Sequence, residues 1–134
     1  MKLFKKLFPN KSAKERKAIE ITLSDNHFQV VAPQQTAQLF AWSDMKEIRA
    51  VVEKDEDGDP FMLINIKFDD KEVLVPRGCK GYKSFKNKII KLPDFASSSY
   101  HQATECTDTQ QFILWRTKIN PNSPKKQPKS QRPV

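Results

Sequence analysis

Between residues 61 and 68 the apolar side chains recur at every second position. Met62, Ile64, Ile66 and Phe68 line one face, and Asn65 and Lys67 lie on the other. A period of two marks a strand with one buried face, and it governs the first half of the chain. Ile19, Ile21 and Leu23 alternate with Glu20, Thr22 and Ser24, and Asp25-Asn26 separates them from a second strand over 28–31. Both turn residues tolerate the left-handed conformation of a tight hairpin. After the loop 32–36 a third strand is expected near 38–42, followed by one helical turn with Ser43 as its N-cap. A fourth strand, 48–53, leads to Asp57-Gly58, a strong hairpin signal. The fifth is 61–68. Asp69-Asp70 turns it into a sixth over 72–75, which Pro76 terminates.

The period then changes. Tyr82, Phe85, Ile89 and Leu92 fall at i, i+3, i+7 and i+10, one stripe of an α-helix that Pro93 stops. The stretch "DFASSSYHQATECTDT" has no convincing period and reads as a long loop. "QFILWR" reads as a last strand, with Phe112 and Leu114 on one face and Ile113 and Trp115 on the other. Consecutive hairpins imply an antiparallel meander. The expected fold is therefore α+β: a bent antiparallel meander of about six or seven strands with one main α-helix.

Charge divides the chain more sharply than hydrophobicity does. The formal net charge of the 134 residues is +8. Residues 1–17 hold seven Lys or Arg and one Glu, giving +6, and residues 120–134 hold four bases and no acid, giving +4. The body, 18–119, is left at −2 with 13 bases and 15 acids. Basicity of the whole chain would suggest nucleic acid as a partner, but it belongs to the ends, so nucleic acid is not expected. The layout follows: a basic amphipathic N-terminal segment over 1–17, a single α+β domain over 18–119, and a Pro- and Lys-rich tail over 120–134, expected to be disordered. A mean hydropathy of −0.69 agrees with a substantial polar appendage. Cys79 and Cys106 form no CxxC pair and are expected to be reduced thiols of a cytoplasmic protein.

"AWSDMKEIRAVVEKD", an alternating strand pair and "GYKSFKNKIIKLPDF" together resemble small bacterial proteins with pleckstrin-homology-like sheets. Trp42, Met45 and Ile48 match the spacing of strands that enter a curved sheet before a closing helix. The resemblance spans roughly residues 19–95. It implies a pleckstrin-homology-like binding module, of the kind found as immunity or accessory partners in toxin systems, and it brings no catalytic residues. In that fold the helix ends the domain, whereas this chain continues into "QFILWR".

Candidate chemistry is sparse. Asp55, Asp57 and Asp59 offer oxygens at alternate positions, as calcium loops do. The glycine is misplaced for such a loop and no bidentate Glu follows, so a solvated hairpin tip is expected, with no metal and no cofactor. Ser97, Ser98, Ser99, His101 and Cys106 share one polar stretch, but nothing orients a base toward a nucleophile. His27 lies beside a turn and is expected to be exposed. No enzyme activity is expected. Lys80, Lys83, Lys86, Lys88 and Lys91 put five positive charges along the helix, read either as a solvated face or as a phosphate or acidic-protein contact. Trp42, Phe61 and Trp115 are read as core by default, with an exposed hot spot as the alternative.

The opening "MKLFKKLFPN" sets Leu3, Phe4, Leu7 and Phe8 against Lys2, Lys5 and Lys6. Four apolar side chains are too few for firm membrane attachment, since even a myristoyl chain binds with only about 10⁴ M⁻¹. Residue 2 is also lysine, not the glycine that carries such a chain. Transient contact with the anionic inner leaflet, at ~1 kcal/mol per nearby lysine, and packing on the domain both remain open. The expected function is a non-enzymatic protein-binding module, most concretely an immunity protein that neutralises a toxin by occlusion. Its expected partner surface is Glu53, Asp55, Glu56, Asp57 and Asp59. The alternative is a peripheral membrane or polyanion-binding adaptor using Lys2, Phe4, Lys5, Lys6, Lys83 and Lys86.

Overall fold

The structure is a computed structural model and describes residues 16–33 and 35–117. Among these, seven strands and two helices follow in the order β1 (Glu20–Leu23), β2 (His27–Val31), β3 (Gln38–Ala41), β4 (Glu47–Lys54), β5 (Pro60–Lys67), β6 (Glu72–Pro76), α1 (Tyr82–Ile89), α2 (Ser97–Glu105) and β7 (Gln110–Arg116). The fold is α+β, and all strand pairs are antiparallel. They form two sheets, a three-stranded one in the order β1-β2-β3 and a four-stranded one in the order β6-β5-β4-β7.

The division into two sheets corrects the expectation of one continuous bent meander. Its cause lies at the corner between β3 and β4, a 3-10 turn over Trp42–Asp44. The Trp42 backbone N–H donates to the Asn26 carbonyl at 3.1 Å, and its indole Nε1 donates to the Ser24 carbonyl at 3.0 Å. Its ring packs on Phe28 with centroids 4.6 Å apart. These contacts tie the corner to the β1–β2 turn, so the chain leaves the first sheet before it can pair β4 with β3.

Alternation identified the inner face of the sheet, although Leu63 and Asn65 on the other face of β5 are buried as well. Met62, Ile64 and Ile66 of β5 face Val52, Ala50 and Ile48 of β4 across the ladder, and all six are buried. Val73 and Val75 of β6 complete the row. The first sheet contributes Ile21, Phe28, Val30 and Phe40 to the same cluster, and α1 contributes Tyr82, Phe85 and Ile89. Phe28 sits where the layers meet, with ring centroids 5.2 Å from Phe40, 6.5 Å from Phe68 and 5.5 Å from Phe85. Burial of such side chains contributes roughly 1.5–3 kcal/mol each, so this aromatic cluster joins the two sheets and the helix without a hydrogen-bonded ladder between the sheets.

The second helix is another correction, because 97–105 lies in the stretch read as loop. Its apolar content is low, and only Ala103 is fully buried. Tertiary contacts hold it, as they do most short helices. The Tyr100 hydroxyl lies 2.8 Å from the Tyr82 hydroxyl of α1, and the Ala96 N–H donates to the Leu114 carbonyl at 2.7 Å. The first helix ends at Ile89, before Pro93, and Leu92 reaches the core from the turn that follows. In β7 a register shift opposite Ile48/Arg49 inserts Leu114 between Ile113 and Trp115. Trp115 therefore faces Ile48 and packs on the core with Leu114 and Phe112, while Ile113 points out. The two-and-two division expected for this strand fails at the bulge.

Candidate functional site

The expected partner surface forms the tip of the longest hairpin, β4–β5, in which eight residue pairs are in register. Gly58 takes φ 83°, a left-handed value that favours glycine. The Gly58 N–H donates to the Asp55 carbonyl and the Asp55 N–H donates to the Asp59 carbonyl, both at 2.9 Å. Asp55 Oδ1 then accepts from the backbone N–H groups of Asp57 and Asp59, each at 2.9 Å. One carboxylate thus folds the loop from inside, in the manner of an Asx turn. Glu56, Asp57 and Asp59 are left exposed at its rim.

Carboxylate oxygens of Asp55, Asp57 and Asp59 lie within 4.8 Å of one another. Because Asp55 already accepts two amide hydrogens, its inner oxygen serves the turn, and the outward charge rests on the other acids. Lys54, the one base within the stretch 53–59, is drawn away toward Asp108, with Nζ 3.6 Å from Oδ1. Glu53 is half-buried on β4 and stands opposite Phe61. The tip therefore presents a compact negative charge on a preformed loop. Such a charge speeds encounter with a basic surface and orients it, although a single exposed pair is worth only ~0–1 kcal/mol.

No family model, curated protein or solved structure matches the chain.

The other residues singled out in the sequence are dispersed. Lys83 is exposed and Lys86 half-buried on α1. Lys80 pairs with Glu20 at 3.9 Å, and Lys88 Nζ lies 5.5 Å from the centre of the Trp42 ring. The five lysines thus do not form one free stripe. Lys2, Phe4, Lys5 and Lys6 lie outside the described residues, as does the tail 120–134. Ser97, Ser98, Ser99 and His101 sit on α2, where exposed His101 pairs with Glu105 at 3.2 Å. Cys106 Sγ donates to the Asp108 carbonyl at 3.2 Å. Among the described residues the imidazole therefore pairs with Glu105 and the Cys106 thiol bonds to Asp108, and neither a Ser hydroxyl nor Cys106 hydrogen-bonds to the His101 ring. His27, expected to be exposed, is half-buried at the start of β2. Both cysteines are free, and burial pushes the Cys79 thiol up to about 11.

Trp42 and Trp115 are half-buried and share a groove of about 260 Å³ with Met45, Lys88, Ile89 and Leu92. Among the described residues no helix is long and apolar enough to cross a membrane. Sequence reasoning missed Arg16. It is buried at the edge of the hairpin, with its guanidinium 3.7 Å from the centre of the Phe61 ring. Burial lowers its pKa, and the nearby negative charge of Asp55 works in the opposite direction. No motif marks such a residue, because its role depends on the hairpin folding beneath it.

Proposed function

We propose that this chain is a non-enzymatic protein-binding module that presents the acidic β4–β5 tip to a basic surface on its partner. The observation that carries the reading is Asp55, whose carboxylate holds the loop in one conformation while Glu56, Asp57 and Asp59 face solvent. A preformed loop loses little conformational entropy on docking. The most concrete version is a pleckstrin-homology-like immunity protein of the cytoplasm that occludes the basic cleft of a toxin.

The test starts from the partner obtained by co-purification with the full chain. Glu56→Gln, Asp57→Asn and Asp59→Asn together remove outward charge and leave Asp55 and Gly58 to hold the turn. Association is expected to slow several-fold at low salt, with the difference shrinking as salt rises. Association that is unchanged by the triple substitution but slowed by Lys83→Glu with Lys86→Glu would replace this reading with a polyanion-binding one.

A further inference from the structure

The four-stranded sheet has two faces, and both carry buried apolar residues. On the face turned away from the core, Val51, Leu63 and Pro76 stand in one cross-strand row, since Val51 pairs with Leu63 and Leu63 with Pro76. Val51 is 8% exposed, Leu63 5%, and Pro76 is fully buried. Val51 and Leu63 are not part of the core cluster. The described helices pack on the opposite side, where Tyr82, Phe85 and Ile89 of α1 and Ala103 of α2 enter that cluster. Asn65, beside the row and expected to face water, is only 5% exposed. A sheet face turned to solvent does not bury its central row in this way.

The described chain begins on this face. Arg16 is 8% exposed and stacks on Phe61, which lies two residues from Leu63 on the same side of β5. We propose that residues 1–15 dock in cis across the outer face of this sheet, with Leu3, Phe4, Leu7 and Phe8 covering Val51, Leu63 and Pro76.

The reach fits. Phe8 precedes Arg16 by eight positions, which span ~12 Å as helix and up to ~28 Å extended. The row Val51–Leu63–Pro76 crosses three strands, a distance of about 10 Å. The charge fits as well. Residues 1–17 carry +6, and the end of the sheet where Arg16 lies carries Glu53 and the acidic tip. A segment spaced to bury one apolar stripe and solvate its lysines suits a flat apolar row bordered by acids. The inference is independent of the partner proposed above, because it concerns burial within one chain.

The test uses the full chain with Val and Leu methyl groups isotopically labelled. Nuclear Overhauser contacts are expected from the Val51 and Leu63 methyls to protons of Leu3, Phe4, Leu7 or Phe8. In an equal mixture of labelled and unlabelled protein, contacts seen only between chains would overturn docking in cis in favour of a second copy. Contacts to none of residues 1–15, with the methyls shifting only when phosphatidylglycerol vesicles are added, would overturn it in favour of a membrane. Phe4→Asp with Leu7→Asp leaves the described domain untouched. It is expected to shift both methyl resonances and to lower the thermal midpoint by several degrees. Unchanged resonances in this variant would also overturn the proposal.

Discussion

A methyl group added at Gly81 would collide with the carbonyl oxygen of Ile21, a backbone atom that cannot swing aside. Gly81 also takes φ 86°, and it lies where Ile21 N–H donates to the Lys80 carbonyl at 2.8 Å. Strain and collision add, so Gly81→Ala is expected to cost roughly 2–4 kcal/mol in urea unfolding. Gly58→Ala has open space and suffers the backbone strain alone, so about 1 kcal/mol is expected there. Equal costs at the two sites would show that the close approach to β1 is not limiting. Glu47 supplies a pH test. Burial opposes its ionisation, but hydrogen bonds from Arg49 and Arg116 outweigh this and hold its carboxyl below the ordinary range. A depressed carboxyl stabilises the fold above its unfolded pKa, about 4.3, and that stability is lost as pH falls through the folded value. Glu47→Gln is therefore expected to cost about 1–2 kcal/mol at neutral pH. The deficit should shrink as pH falls below the ordinary carboxyl range and close once the folded carboxyl is protonated, and a deficit that survives this protonation would assign it to packing.

Among the elements, β5 has both neighbours paired and its inner face fully covered. Ile64 is completely buried between Ala50 and Val75, so Ile64→Ala is expected to lower stability by ~2–5 kcal/mol. Ile113→Ala, on a strand edge and 42% exposed, should change it little. Similar losses at both positions would overturn the register. These strands were legible in the sequence because a period of two with turn residues between is a local signal. Helix α1 was legible for the same reason, through Tyr82, Phe85 and Ile89. Helix α2 was not, since its stability comes from Tyr82 and Leu114, distant in sequence. The bulge at Leu114 was equally hidden, because only pairing with β4 defines it. The acidic tip could be located from Asp57-Gly58, but the inner role of Asp55 and the stacking of Arg16 on Phe61 depend on the folded loop.

For the whole molecule, topology separates what forms early from what forms late. Strands β4, β5 and β6 are joined by tight turns, whereas β7 returns to β4 only after both helices have been placed. Closing that long loop has an entropic cost before any contact offsets it. Leu114→Ala is therefore expected to accelerate unfolding and leave refolding nearly unchanged, while Ile64→Ala slows refolding. Stopped-flow chevrons give both limbs, and slowed refolding for Leu114→Ala would place β7 in the nucleus. The two sheets also face each other across β3 and β6, where Gln38, Leu39, Phe40, Lys71 and Glu72 line an open groove and no ladder joins the edges. Lys71 Nζ, 5.0 Å from the centre of the Phe40 ring, spans that opening. The domain is consequently anisotropic under load. Force applied across the groove meets only side-chain contacts at these edges and the backbone bonds of Ile19 and Ile21 to Lys80 beyond them, whereas force along β4 and β5 must shear eight registered residue pairs together.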